Sequence, residues 1–357
     1  MNWYEHIQRL LIRVIIICFW VCAIGGFLIL PQHIGNQRMA SSITILAMPN
    51  SINADMLDDF EAEYGVKVHL MYAENADEIY VKLAMSGGIG YDLVMISDHH
   101  IPLLKESHLI QPLNKHKLPF FADIYPALLN HAFDPDNAYS IPYYWGVYGF
   151  AIDTTYFGTV DTLGWDAIFD ESKISYCIGM REDPREIIAM AAFYCFGSTD
   201  HLDEMKYHTI KQLLVTQKKW VTMYADERIG SLLASHTCPL VVTLTGDIMR
   251  TMEQYPNIAF CIPHEGSFVD IDSFVIPAAS GKEEMVYAFL NYLYTPRILT
   301  YYVDYFKLSS PLSTVASKAT IPMVAVPTTE LFEKLRFLTT YIPAAVLSDI
   351  ILTLKTA

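Results

Sequence analysis

The stretch SIPYYWGVYGFAID, residues 140–153, decides the fold. Aromatic and β-branched side chains alternate here with small ones, which is typical of an extended strand. Pro142 excludes a regular central strand at the start of the stretch, while Gly146 and Gly149 indicate a bend or a close approach by another backbone. Both features suit a strand that crosses between two lobes. An ordinary β-hairpin arm would show the same pattern, so the stretch alone leaves both interpretations open.

Strand and helix patterns alternate in the chain before this stretch. The predicted strands cover residues 43–48, 66–70 and 91–96. The predicted helices cover residues 54–64, 77–85 and 101–107. This alternation predicts an α/β fold in which parallel strands are covered by helices on both faces. Ligands of such folds bind at the carboxyl ends of the strands.

Length and composition limit the class of protein. A chain of 357 residues is long enough for two domains, because single cores stop growing near about 250–300 residues. Hydrophobic residues make up 52% and charged residues 18%, which predicts a globular chain. The net charge of -15 argues against binding to nucleic acid and favours a cationic or neutral ligand.

The N-terminal residues 1–30 are predicted to be a signal anchor or a signal peptide. Arg9 and Arg13 precede a charge-free run from Val14 to Leu30, which is close to the roughly 20 residues that span a bilayer core. The positive charges place the N-terminus in the cytoplasm and the rest of the chain in the periplasm. Because no convincing cleavage site follows, we favour an uncleaved anchor in the inner membrane. Residues 31–41 are then a polar tether.

The cysteines outside this N-terminal run give no clear signal. Four of them could form disulfides in an oxidising compartment by any of three connectivities, or could be buried free thiols, which we favour. None has the spacing of a metal site. They are Cys177, Cys195, Cys238 and Cys261.

Five motifs occur in a fixed order from residue 64 to residue 277: YGVKV, YDLVMISDHH, LLKESHLIQPLNKHKLP, FDPDNAYSIPYYWG and EGSFVDIDSFVIP. This succession resembles the periplasmic spermidine/putrescine-binding proteins of bacterial ABC importers, over roughly residues 42–314. The resemblance implies a two-lobed periplasmic binding protein fold, in which each lobe is a mainly parallel sheet flanked by helices and a hinge joins the lobes. One lobe would comprise residues 42–147 and 272–315, and the other residues 148–271 and 316–357. The crossing strands would be residues 140–153 and 269–276.

The resemblance also implies three ligand carboxylates, those of Asp183, Glu186 and Asp272. A polyamine is a chain of ammonium groups, so it needs carboxylates spaced along a groove with apolar or aromatic surface between them. Other roles are open at the same positions. Asp183 and Glu186 also fit a capping box at a helix start, and both roles can coexist. Asp272 could instead be a surface turn residue.

The chain departs from the family pattern where aromatic side chains are expected. Asp270 and His99 stand at two such positions, and Met48 begins the run that replaces an aromatic-rich stretch. Asp226 adds a further charge in a loosely aligned segment. The predicted pocket is therefore more acidic and less aromatic than a spermidine site, which favours a shorter or differently spaced cation. The predicted ligand-binding residues are Met48, Ser97, His99, Asp183, Glu186, Asp226, Asp270 and Asp272.

No catalytic, dinucleotide or metal motif occurs in the sequence, so we expect neither an enzyme nor a cofactor. Adjacent histidines after a strand cannot both point into one site, so we interpret His99 and His100 as a polar rim. The sequence predicts a monomeric solute-binding protein that delivers a polyamine-like cation to an ABC permease. Two alternatives stay open: a binding protein of the same fold for another small solute, and a ligand sensor that does not transport.

Overall fold

The structure is a computed structural model that describes Trp20 and residues 41–49, 51–158, 163–226, 228–307, 309–315, 328–338 and 342–356. The predicted membrane segment, residues 14–30, lies outside this part of the chain except for Trp20. No helix formed by the described residues is long and apolar enough to cross a bilayer.

Strands and helices alternate through the first third of the chain, as the sequence patterns predict. The strands are β1 (Ser42–Ala47), β2 (Lys67–Tyr72), β3 (Leu93–Ser97), β4 (Ser140–Asp153), β5 (Ile178–Met180), β6 (Val221–Tyr224), β7 (Leu240–Leu244), β8 (Ile258–Cys261), β9 (Ser267–Val275) and β10 (Leu335–Phe337). The helices are α1 (Leu57–Tyr64), α2 (Ala76–Ser86), α3 (Ile101–Glu106), α4 (Thr154–Phe157), α5 (Asp166–Phe169), α6 (Pro184–Phe196), α7 (Glu204–Gln217), α8 (Ser231–Ala234), α9 (Thr245–Gln254), α10 (Glu283–Leu293), α11 (Pro296–Phe306), α12 (Thr329–Phe332) and α13 (Ala344–Thr356).

Two half-sheets meet along β4. The strand order is β2-β1-β3-β9-β4-β7-β5-β6, with β10 beside β9 and β8 beside β4. Within each half the outer strands are parallel, β1 with β2 and β3, and β5 with β6 and β7. Strands β4 and β9 run antiparallel to their neighbours, except that β10 pairs parallel with β9. The prediction of mainly parallel sheets is therefore wrong for the two strands that cross between the halves. Strand β9 runs antiparallel to β3, and β4 runs antiparallel to β7 and β8, so the sheet is mixed.

Strand β4 has the bounds and the irregularities that its sequence predicts. Its register with β9 shifts between Pro142 and Tyr144, next to the residue that cannot donate a backbone hydrogen bond. A Cβ atom on Gly149 would lie 2.5 Å from the carbonyl oxygen of Cys261 in β8. The first half of β4 pairs with β9 and the second half with β7 and β8. The strand thus links the two halves of the fold, and a hairpin arm is excluded.

Each half of the fold has its own apolar core. The first core forms around β1 and β3 and includes the buried indole of Trp145, and it extends to one face of the second half-sheet. The second core surrounds α6, in which eight successive residues from Glu186 to Phe193 are buried. A helix that is buried on nearly all sides is held firmly by its neighbours. The N-terminus of α6 therefore has a fixed position, at the cleft between the two half-sheets.

The C-terminal segment contacts both halves. Helix α13 packs on the second half, where its Ile350 and Leu354 join the second core. Strand β10 pairs with β9, and its Leu335 joins the first core. The four cysteines of the described chain are free thiols; Cys238 and Cys261 are buried, as we favoured, whereas Cys177 and Cys195 are only partly buried. The exact lobe boundaries stay a prediction.

Candidate functional site

Polar side chains converge in the cleft where the two half-sheets meet. Asp270 and Asp272 are two residues apart in β9, so their side chains lie on the same face of the strand. Asp272 pairs with Ser97, the last residue of β3. The N-terminus of α6 brings in Asp183 from the other half. Because the carboxyl ends of the strands in both halves point into this cleft, acidic groups far apart in sequence become neighbours.

Asp272 is the most enclosed of the predicted ligand residues. Its side chain is 2% exposed, so the alternative of a surface turn is wrong. The hydroxyl of Ser97 donates to Asp272 Oδ1 at 2.6 Å, and Tyr144 lies opposite Asp272 in the register of β4 with β9. Burial raises the pKa of Asp272, and the hydrogen bond from Ser97 only partly opposes that shift. Ser97 therefore orients the Asp272 carboxylate.

Asp270 faces the same space and is half-buried. Burial and then the negative charges of Asp272 and Asp98 raise the pKa of Asp270 well above its ordinary value. The carboxylates of Asp98, Asp270 and Asp272 thus repel one another, and the nearby positive groups do not balance their negative charge. A cation placed here would lower these pKa values and would release protons as it bound.

Asp98 is a site residue that the sequence analysis missed. It follows β3 directly and is fully buried, and neither of its carboxylate oxygens has a hydrogen-bond partner among the described residues. A buried carboxylate without a partner is costly, and a bound cation is one way to offset that cost. The only sequence signal was its position at the carboxyl end of a buried strand.

The rings of the two adjacent histidines lie against each other, with 4.1 Å between their centroids, and His100 is 3% exposed, so the polar-rim interpretation is wrong for His100. His99 faces Asp98, with 3.7 Å between Nδ1 and Oδ1, which is too long for a hydrogen bond. Burial acts to lower the pKa of His99, but the carboxylates of Asp98, Asp183 and Asp272 outweigh it and raise the pKa. His100 turns away toward Asp77, with 2.9 Å between Nε2 and Oδ1. Burial lowers the pKa of His100 to about 3.

Asp183 is the N-cap of α6, as the sequence predicts. Its Oδ1 accepts a hydrogen bond of 2.8 Å from the backbone amide of Arg185. Burial and the nearby charge of Glu186 raise the pKa of Asp183 to about 6. We call Asp98, His99, Asp183, Asp270 and Asp272 the acidic cluster, since each interacts electrostatically with others of the group.

Glu186 belongs to a second group, which we call the arginine cluster: Arg181, Glu186, Asp226 and Asp247. The capping-box prediction is wrong for Glu186, because its carboxylate accepts hydrogen bonds from Tyr148 Oη at 2.8 Å and from Arg181 Nε at 2.7 Å. Arg181 is buried, with 5% of the residue exposed, and no sequence motif indicated that it belongs to the site. These tertiary donors replace the backbone amide that a capping box would use.

The guanidinium of Arg181 neutralises much of this second cluster. Its Nη1 donates to Asp247 Oδ2 at 2.6 Å, and its Nε lies 3.3 Å from Asp226 Oδ1. Its carbon Cζ lies 5.6 Å from the centre of the Tyr148 ring. The cleft therefore has two parts. One already contains its own cation, and the other is the acidic cluster.

An ion pair joins the two halves across the cleft. Both guanidinium nitrogens of Arg185, from α6, contact the carboxylate of Asp77, from α2, with 2.8 Å between Nη1 and Oδ1. Helix α2 packs on β3 in the first half, whereas α6 packs on α7 in the second. His100 shares the same carboxylate. The lobes are therefore tied next to the acidic cluster.

The structure does not bring every predicted residue to the acidic cluster. Met48 packs against the first core, and its carbonyl accepts a hydrogen bond of 2.6 Å from Ser51. Asp226 lies in the arginine cluster and also accepts from the amide of Glu182 at 3.1 Å. Ligand contact by each of the predicted residues stays a prediction.

Comparison with known proteins agrees with this architecture. The family of bacterial extracellular solute-binding proteins matches residues 55–328. The putrescine/agmatine-binding protein of Pseudomonas aeruginosa is 27% identical over 259 residues, which are 67% of this chain and 70% of that protein. The spermidine/putrescine-binding periplasmic protein of Escherichia coli is 26% identical over 247 residues, which are 68% of this chain and 70% of that protein.

Among solved structures, the spermidine/putrescine ABC transporter substrate-binding protein of Streptococcus pneumoniae superposes with a TM-score of 0.74. The identity is 22%, and the match covers 88% of this chain and 99% of that chain. This likeness shows the two-lobed fold.

Proposed function

Because the chain belongs to the family of bacterial extracellular solute-binding proteins, we propose that its cleft captures a small organic amine, a polyamine-like cation, for an ABC importer. The observation that carries the proposal is the acidic cluster, in which four carboxyl groups face one imidazole. An ammonium group bound there would supply the missing positive charge. It would also donate charge-assisted hydrogen bonds to buried oxygens.

The arginine cluster supports a ligand shorter than spermidine. Glu186 and Asp226 were predicted to receive ligand ammonium groups, but the guanidinium of Arg181 already lies against both. This internal cation fills the place of a second or third ammonium. We therefore propose a monoamine or a short diamine, with one ammonium between Asp183 and Asp272.

The cellular setting follows from the family and from the N-terminal sequence. Relatives named as periplasmic binding proteins support a periplasmic location. We propose that residues 14–30 anchor the protein to the inner membrane and that a monomer delivers the solute to the permease. The cleft in this proposal binds and releases its ligand, and no reaction is assigned to it.

Thermal unfolding of the full-length chain in a non-ionic detergent tests the proposal. The probes are ethylamine, putrescine, cadaverine, spermidine and agmatine in metal-free buffer. A ligand at about a hundred times its dissociation constant stabilises a protein by roughly 2.7 kcal/mol, which is enough to detect. We expect a short amine to stabilise more than spermidine does.

Matched variants locate the site. Asp272→Asn should weaken amine binding at least tenfold, because truncating one partner of a buried charge pair costs about 2–5 kcal/mol. Asp349→Asn is the control, since its exposed carboxylate pairs with Lys211 on the surface. Cooperative unfolding without a shift for any amine, or an equal effect of the two variants, would refute the proposal and favour another solute.

A further inference from the structure

Three metal-ligating side chains meet at one end of the cleft. One ligand atom from each of Asp98, His99 and Asp270 lies within 4.8 Å of the other two. We propose that these three residues bind a divalent first-row transition-metal ion, with Zn²⁺ as the representative probe. This site shares three residues with the acidic cluster, but the binding of a metal ion there does not require the proposed amine ligand.

The strongest argument is the state of Asp98. Its side chain is completely buried, and both of its carboxylate oxygens lack a hydrogen-bond partner within the described part of the chain. His99 Nδ1 likewise has no partner there. Two of the three groups therefore have buried ligand atoms without a hydrogen-bond partner, and these atoms lie within 4.8 Å of a carboxylate oxygen of Asp270. Buried polar groups are otherwise almost always satisfied.

The donor set selects the kind of metal. Two carboxylates and one imidazole match the ligands that Zn²⁺ and its neighbours prefer, whereas Ca²⁺ takes six to eight oxygen ligands. Metal contacts of about 2.0–2.2 Å place tetrahedral ligand atoms about 3.3–3.6 Å apart. The separation of 3.7 Å between His99 Nδ1 and Asp98 Oδ1 is close to this range. Small side-chain rotations would complete the site.

Three protein ligands leave one coordination position open. Structural zinc sites are closed by four protein ligands, while sites that exchange a ligand keep a position for water or for a bound molecule. Asp272 is not one of the three grouped ligands, and its Oδ1 already accepts a hydrogen bond of 2.6 Å from Ser97. The metal and an amine would both draw on the negative charge of Asp270 and Asp272, so we expect each to weaken the binding of the other.

Isothermal titration of Zn²⁺ into the chelator-treated full-length chain, without amine, tests the inference. We expect one equivalent to bind, with Ca²⁺ at least a hundredfold weaker. His99→Ala and Asp270→Asn should each weaken Zn²⁺ binding at least tenfold. His236→Ala is the matched control, because His236 Nδ1 also lies beside a carboxylate, 3.0 Å from Asp153 Oδ2, but outside the cleft.

The outcomes separate the two proposals. If Zn²⁺ does not bind stoichiometrically, or if its binding responds to His236→Ala and not to His99→Ala, the metal site is refuted whatever the amines do. If a variant unfolds, His99→Gln keeps the size and polarity of the side chain and must still lose Zn²⁺ affinity. Putrescine added to the zinc-loaded chain should lower the apparent Zn²⁺ affinity if both sites are correct. An amine response without a zinc response would leave only the proposed function standing.

Discussion

Replacing Arg181 with methionine should destabilise the folded chain by about 3–5 kcal/mol at pH 7. The guanidinium is 5% exposed and makes two close hydrogen bonds, to Glu186 at 2.7 Å and to Asp247 at 2.6 Å. Hydrogen bonds to charged groups contribute about 1.5–3 kcal/mol each, and removing one partner of a buried ion pair costs about 3–5 kcal/mol. Because methionine retains much of the apolar packing, the loss of stability reports mainly the missing charge and its hydrogen bonds.

The loss should shrink on acidification. Burial raises the pKa of Asp247, and the charge of Arg181 opposes that shift. Without Arg181 the pKa rises further, so the variant takes up protons in the folded state and recovers stability as the pH falls from 7 to 5. The lysine variant Arg181→Lys should lie between the wild type and Arg181→Met, since it keeps the charge but not the forked geometry.

Urea unfolding at pH 7 and pH 5, followed by fluorescence, measures these effects. Arg297→Met is the matched control, because that side chain is 72% exposed and its nearest nitrogen lies 3.9 Å from Asp59. The control should change the free energy of unfolding by less than about 0.5 kcal/mol. A loss below about 1 kcal/mol for Arg181→Met, or the same loss at both pH values, would refute the account of Arg181 as the internal cation of the cleft.

Two further predictions concern Asp183 and the glycines. The folded chain should hold a proton on Asp183 up to its pKa of about 6, whereas the unfolded chain releases it near 3.8, so this group makes stability fall as the pH rises from 4 to 6. Its carboxylate is 33% exposed, so Asp183→Asn should remove only about 1–2 kcal/mol of that difference in urea titrations at the two pH values. Gly149→Ala should lower the melting temperature, because the new Cβ would lie 2.5 Å from a backbone oxygen; Gly246→Ala, with no neighbour within 4 Å, should not, and equal effects of the two would contradict the packing argument.

Local patterns predicted the strand that links the two halves. Alternation, Pro142 and the two glycines are properties of neighbouring residues, and they fixed the bounds and irregularity of β4. The N-cap role of Asp183 was equally local, since its hydrogen bond reaches only two residues along the chain. Signals of this range are present in the sequence itself.

The partners of buried charges could not be predicted in the same way. Arg181 and Asp247 are separated by 66 residues, and no pattern relates them. Glu186 had the spacing of a capping box, but its tertiary donors made it part of another group. Asp98 looked like an ordinary polar residue after a strand, and only the packing of β9 and α3 around it reveals a buried carboxylate. The antiparallel pairing of β4 and β9 with their neighbours likewise depends on how the whole chain is connected, and no local sequence pattern indicates it.

The bond between Arg185 and Asp77 makes solute affinity depend on ionic strength even for an uncharged solute. It joins the two lobes, so it stabilises the closed form and reduces the free energy that any ligand must supply to close them. The carboxylate of this pair is 48% exposed, so dissolved ions screen it. Higher ionic strength around the protein would then shift the population toward the open form and weaken solute binding, without any change in the residues that touch the solute.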